Sequence, residues 1–261
     1  MRSLHIGATG MLAQQLNVDT ISNNIANMST SGFKRNRAEF RDLLYQNLSR
    51  PGATGSDVGN ILPSGLQVGL GVRTAAVYRI HEQGPIQVTE NPMDLAIIGD
   101  GFFQVELPSG ETGYTRNGVF QVNQDGEIVN SQGMRMLPNI VIPANAVSVD
   151  INESGQVFAK LSGQTALQNL GQIQVANFAN PTGLEAIGNN LLTETEASGN
   201  PTLGNPNSEN FGRVQQGSIE SSNVNVVEEI TNLITAQRAY EMNSNVISTS
   251  DEMMSTVNQL R

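Results

Sequence analysis

Apolar or large side chains recur near the end of the chain at Val226, Ile230, Leu233, Tyr240, Ile247 and Met254, with Gln237, Ser244 and Asp251 in the same series. The steps alternate between four and three residues, the period of a coiled-coil seam. Asn225 stands at the start of this pattern with Glu228 three residues on, the arrangement of a capping box. The opening residues behave alike. Leu4, Ala8, Met11, Val18 and Ile25 share a seam that Gln15 and Ser22 interrupt, and Leu12, Leu16 and Ile21 broaden it. One amphipathic helix is therefore predicted at each end. Each stripe needs a cover: its own domain, the other end of the chain, or another copy. Polar residues within a seam weaken a helix pair but fix its register and oligomer state, which favours ordered assembly.

Between the ends the pattern changes. Ser22-Asn-Asn-Ile-Ala-Asn27 and Ser29-Thr-Ser-Gly32 compete with helical hydrogen bonds, so the first helix is expected to end near Asn27. Phe33 to Leu48 alternates basic and apolar residues and reads as helical or extended. Pro51 to Gly71 is rich in Gly, Pro and Ser and nearly uncharged. It reads as a loop or an extended arm, and an arm that long inside a compact domain is usually functional.

From Val72 onward short apolar runs alternate with turn residues. Leu95–Ile98, Phe102–Leu107, Val119–Val122, Glu127–Val129, Val147–Ile151, Gln156–Leu161 and Gln172–Phe178 read as strands. Asn117-Gly118 is a hairpin signal between two of them, and 180–212 reads as surface loops. The fold class is α+β: coiled-coil-type terminal helices, an extended arm, and a central antiparallel all-β domain shaped as an irregular sandwich or barrel. The expected division is 1–30 with 224–261, the arm 31–71, and a β-rich outer domain 72–223.

Composition narrows the function. The chain has 261 residues, 5% aromatic and 15% charged, with no Trp or Cys and a net charge of −10. An acidic chain of this kind is unsuited to general nucleic-acid binding. Without cysteine there is no disulfide, thiolate chemistry or Cys-based metal site. No run of about 18 apolar residues is present, so no membrane insertion is expected, and Gly7, Thr9, Gly10, Gln14 and Gln15 break any secretory signal at the start. Charge is uneven along the chain. Residues 1–50 are basic on balance, while Glu220, Glu228, Glu229, Glu241, Asp251 and Glu252 face only Arg238 and Arg261. The two ends attract each other weakly.

Candidate chemistry is sparse. His5 and His81 have no motif partner, and no Ser sits in a nucleophile elbow. Gly65, Gly69 and Gly71 lack the lysine of a phosphate loop. Gln121 to Gln132 lacks the acidic anchors of a calcium loop. No enzyme activity, cofactor or metal is expected.

Several stretches do carry a resemblance. They are Ser22–Asn27 with Thr30–Lys34, Asn91–Ala96, Gly99–Phe103, Tyr114–Gly118, Ser222–Glu229, Ala236–Asn243 and Ser250–Met253. Together they resemble the axial proteins of the bacterial flagellum, with Asn23, Asn24, Asn27, Gly32, Phe33, Gln237 and Arg238 in the family motifs. Leu62–Gly71 and the arm before it resemble the distal rod type; a proximal rod or hook subunit is the alternative within the family, and a secreted β-rich binding module the alternative outside it. Asn245 stands where relatives often carry Lys.

The resemblance implies a structural, self-assembling subunit. It implies a helical homopolymer forming a stiff hollow shaft across the periplasm, within the basal body. Its implied neighbours are proximal rod proteins, the hook protein, the P and L ring proteins and a rod cap protein, with delivery by the type III export apparatus and no cleaved signal peptide. Leu4, Met11, Val18, Ile25, Val226, Ile230, Leu233, Tyr240, Ile247 and Met254 are the expected assembly residues. Helices of this length carrying Gly, Ser and Asn are marginal alone, so both ends are expected to order only on stacking. The arm is expected to stiffen the polymer by reaching across neighbours.

Overall fold

A computed structural model describes residues 2–49, 65–163 and 166–259. It contains two terminal helices and many short antiparallel strands, an α+β fold. The chain divides into two compact units. The first comprises Met1–Ile25, Asn36–Tyr78 and Asn225–Arg261, and the second Ala26–Arg35 and Arg79–Val224.

In the first unit, helix α1 spans Arg2–Ala26 and helix α2 spans Val226–Gln259. Asn225 caps α2: its Oδ1 accepts the amides of Val227 at 3.1 Å and Glu228 at 3.4 Å. The remaining part is a two-stranded ribbon. Asn36–Asp42 pairs with Val72–Arg79, and Tyr45–Ser49 pairs antiparallel with Leu66–Gly69. Phe33–Leu48 is thus extended from Asn36 on, and the expected arm is a ribbon at its base. The expectation for Pro51–Ser64 lies outside the described residues. The ribbon leaves Leu44 85% exposed, with Tyr45, Leu48 and Leu66 more than half exposed. A lone two-stranded ribbon is marginal in water.

The second unit is built on a seven-stranded sheet. Its order is Glu185–Gly188, Leu191–Thr193, Thr112–Thr115, Phe102–Glu106, Val175–Asn177 and Thr202–Gly204, with Met136–Leu137 also paired to Phe102–Glu106. Beside it are the three-stranded sheet Ala146–Ile151, Gln156–Leu161, Leu167–Gln172 and several strand pairs. Side chains alternate across a strand, so Phe102 and Phe103 serve opposite faces. Phe103 joins the main core with Leu95, Ile97, Phe120, Val157 and Ile173. Its ring meets Phe120 edge-on at 5.3 Å. Phe102 joins a second core with Tyr114, Phe178, Leu184 and Leu192.

Three expectations are corrected. Asn117-Gly118 is no hairpin turn: Thr112–Thr115 pairs within the main sheet while Phe120–Val122 pairs with Ile128–Asn130. The glycine is needed because the backbone of Leu95 passes over it; an added Cβ would fall onto the Leu95 carbonyl oxygen, which leaves room only for hydrogen. Gln172–Phe178 is two strand ends, Leu167–Gln172 and Val175–Asn177, with Ile173 buried between them. The polar stretch 180–212 supplies three strands of the main sheet because Leu184 and Leu192 are buried against Phe102 and its neighbours and Leu191 in the main core.

Candidate assembly surface and the clasp of the β unit

Helices α1 and α2 run antiparallel. Ser3 and Ser250 hydroxyls lie 3.2 Å apart, and at the far end Asn24 Nδ2 donates to Glu229 Oε2 at 3.3 Å. Between these rungs the helices approach through glycine. A Cβ on Gly7 would stand 2.9 Å from Ile247 Cγ1, and one on Gly10 the same distance from the Asn243 amide. The covered residues of α2 are Glu229, Ala236 and Ser250; those of α1 are Gly7, Ala13, Thr20, Ile21 and Asn24. Asn24 also fastens the ribbon. Its Nδ2 donates to the Asn36 carbonyl and its Oδ1 accepts the Asn36 amide, both at 2.8 Å.

The expected seam residues are distributed unevenly. Leu4, Met11, Val18, Ile25, Val226, Leu233, Ile247 and Met254 are half-buried, whereas Ile230, Gln237, Arg238 and Tyr240 are exposed. The second heptad position of the inner face is occupied by Glu229, Ala236, Asn243 and Ser250, one residue before the expected series. Small and polar residues are the most covered on α2, Ile247 stands against Gly7, and several large apolar residues stay exposed. Val227 is 75% exposed, Met242 62% and Val257 66%, with Ile230, Ile234, Val246 and Met253 near half. A hollow of about 420 Å³ lies between the helices, lined by Gln15, Val18, Gln237, Tyr240 and Glu241.

In the second unit the motif residues build a clasp. Residues 26–35 form a strap. Asn27 makes the turn after α1, its carbonyl accepting the Thr30 amide at 3.2 Å, and Thr30 in turn accepts from Phe33. Gly32 has φ +70° and donates its amide to the Glu220 carbonyl at 2.8 Å. A side chain there would strike the backbone of Arg116 and Asn117, so the position suits glycine alone. Lys34 is buried, and its Nζ donates to Glu220 Oε1 at 2.6 Å and to the Glu82 carbonyl at 2.7 Å. Glu220 Oε1 also accepts the Gly84 amide at 2.8 Å, and Arg116 stands 3.7 Å from its other oxygen. The guanidinium of Arg116 lies 5.5 Å above the Phe102 ring. Asn223 ties the same region, accepting from the Arg35 amide and donating to the Ile80 and Glu82 carbonyls. Among the expected motif residues, Asn24, Asn27, Gly32 and Phe33 thus make the contacts just described within their units.

Burial pushes the Lys34 ammonium down from its usual value, against the pull of Glu220. Burial likewise lowers Arg116, with Glu220 and Asp100 opposing. His81, beside this cluster, is held at about 4 by burial and then by Lys34, Arg79 and Arg116. Sequence reasoning missed this cluster. Its only local signal was Lys34, one of two lysines in the chain; Glu220 lies 186 residues away.

Among the described residues no group of His, Asp or Glu is arranged to hold a metal ion, and no helix is long and apolar enough to cross a membrane.

Comparison with known proteins agrees along the chain. Residues 4–34 match the family profile "Flagella basal body rod protein". Residues 96–159 match "Flagellar hook protein FlgE/F/G D1 domain", and residues 215–260 match "Flagellar basal body rod FlgEFG protein C-terminal". The flagellar basal-body rod protein FlgG of Caulobacter vibrioides is 57% identical over 261 residues, all of both chains. That of Agrobacterium fabrum is 50% identical over 99% of each chain, and that of Borreliella burgdorferi 48% identical over all of this chain and 99% of its own. With likeness of this depth over the full length, the chain belongs to the flagellar basal-body rod protein FlgG family, whose members are structural rod proteins and not enzymes.

Proposed function

We propose that this chain is the subunit of the distal part of the hollow flagellar rod, a stiff shaft that carries torque from motor to hook and serves as an export channel. The observation that carries this reading is the apolar exposure of α2. The large apolar residues Val227, Ile230, Ile234, Met242, Val246, Met253 and Val257 are exposed on one helix, and apolar exposure of this extent marks an interaction surface. Copies of the chain stack through that surface into a helical homopolymer, and heterologous contacts that do not close give an open filament. The proximal rod, the hook protein, the P and L ring proteins, a rod cap and the type III export apparatus are its further partners, and the periplasm its place. The exposed ribbon of residues 36–49 and 66–79 takes its cover from neighbouring copies and stiffens the shaft. Both terminal helices become fully ordered on stacking.

The test uses electron microscopy of concentrated full-length protein beside the variant Ile234→Asp/Met242→Asp. Straight hollow tubes from the parent, and monodisperse monomers from the variant with the circular dichroism of dilute, unassembled parent, are expected. A parent that stays monomeric at high concentration overturns self-assembly and favours a secreted β-rich binding module. Removal of Pro51–Gly65 is expected to give tubes that bend; tubes of equal stiffness would sink the role of the ribbon.

A further inference from the structure

His81 is placed against a cluster of one sign. Its ring meets the edge of Phe102 at 5.8 Å and hydrogen-bonds the Pro181 carbonyl. Its Nδ1 is buried without a hydrogen-bond partner. With one ring nitrogen donating to a carbonyl, the other carries the lone pair of a neutral imidazole. The charged groups around it are Lys34 from the strap, Arg79 from the ribbon end, and Arg116 after the strand Thr112–Thr115. The acids nearby are already engaged: Glu220 faces Lys34 and Arg116, Glu82 pairs with Arg35, and Asp100 acts on Arg116. The buried centre therefore holds two cations, Lys34 and Arg116, to one carboxylate. Glu220 Oε2 lies 3.7 Å from Arg116 and accepts no hydrogen bond among the described residues.

The strap is held mainly by polar contacts. It contributes no side chain to either core cluster. Its hold is polar: Gly32 N–H to the Glu220 carbonyl, Lys34 to Glu220 and Glu82, Asn190 to the Ser31 carbonyl, and Ile80 N–H to the Arg35 carbonyl. Segments held this way open ahead of the global transition.

We propose that this cluster is an acid-released clasp: neutral His81 keeps the strap Ala26–Arg35 seated on the β unit, and a proton from solvent bound at Nδ1 drives the strap off while both cores stay folded. The proton adds to the free lone pair and breaks no covalent bond. The new imidazolium shares a desolvated space with Lys34, Arg79 and Arg116, where like charges repel most strongly. Lys34 is the member that can leave, because it rides on the strap. The device goes beyond assembly, since it lies wholly within the β unit.

The test is amide hydrogen exchange of the full chain, dilute, from pH 6 to pH 3.5, with rates corrected for the intrinsic pH dependence. The probes are Gly32 and Ile80 for the strap, with Val105 and Val175 for the sheet. In the parent, strap protection is expected to fall at least tenfold below pH 4.5 while sheet protection holds. His81→Phe keeps the edge contact with Phe102, and His81→Gln keeps a donor toward Pro181; neither titrates. Both variants are expected to retain strap protection down to pH 3.5. Strap loss at the same pH in the parent and in either folded variant would overturn the proposal, as would strap and sheet opening together in the parent.

Discussion

Replacing Glu220 by Gln keeps the shape of the clasp and removes the buried carboxylate that faces Lys34 and Arg116. Both cations are nearly inaccessible, and Glu220 itself is 1% exposed. The parent centre has two positive groups to one negative; Glu220→Gln leaves two to none, and Lys34→Met leaves one to one. Stranding buried charges by deleting their partner costs about 3–5 kcal/mol. Removing Lys34 loses a charge-assisted bond and leaves Glu220 paired with Arg116 and the Gly84 amide, which costs about 1.5–3 kcal/mol. For a unit of this size each kcal/mol moves the midpoint by about 2–4 °C, so Glu220→Gln is expected to lower Tm by roughly 6–20 °C. Calorimetry of the dilute full-length protein reads both variants, and the double variant closes the cycle. The order matters more than the size. Equal losses from the two single changes, or a Glu220→Gln loss below about 1 kcal/mol, would refute a cation-rich centre that depends on this carboxylate.

Three further outcomes are expected. Gly7→Leu forces α1 off Ile247 and is expected to lower helicity at 222 nm and abolish tubes, with Ile247→Ala restoring both; full assembly by Gly7→Leu alone would count against the close approach. Gly118→Ala places a methyl on the Leu95 carbonyl and is expected to cost roughly 3 kcal/mol or more through backbone strain, read as a lowered urea midpoint. Tyr114 is pushed up to about 12 by burial and by Glu194, so the folded state holds its proton longer than the unfolded chain. Its contribution to stability is therefore present below pH 10 and lost as pH rises toward 12; phenolate absorbance should show a late step that Tyr114→Phe removes.

The helices and the β character were legible in the sequence because both depend on local periodicity. Asn225 capped α2 as its position implied. The inward face of α2 was not legible, because heptad reading ranks positions by hydrophobicity whereas close packing of two helices ranks them by size. Gly7 and Gly10 let Ile247 and Asn243 approach closely, and Ala236 and Ser250 are the covered small residues of α2. Asn117-Gly118 misled for a related reason. A glycine wanted for the approach of Leu95 carries the same letters as one wanted for a hairpin turn. The clasp was out of reach because Lys34 and Glu220 meet only when residues far apart in the chain are brought side by side.

The apolar residues that α2 leaves exposed bear on how assembly starts. The helix pair covers Ala13, Ile21 and Ala236 and leaves the larger apolar residues of its seam only partly buried. The exposed set holds about seven Val, Ile and Met side chains, each roughly half exposed. At about 1.5–3 kcal/mol for complete burial of each, covering the rest contributes on the order of 5–10 kcal/mol per copy. Joining two copies costs about 4–15 kcal/mol in lost freedom before ordering is counted. A lone pair of copies therefore gains little, while a copy entering a lattice meets several neighbours for one such cost. Growth should then show a threshold concentration and a lag in light scattering, and short fragments of preformed tube should remove the lag. Val227→Ser with Met253→Ser should raise the threshold without unfolding the β unit. Growth that proceeds smoothly from dimers, with no lag and no effect of added fragments, would show that a pairwise contact elsewhere dominates and that the exposed apolar residues of α2 do not drive polymerisation.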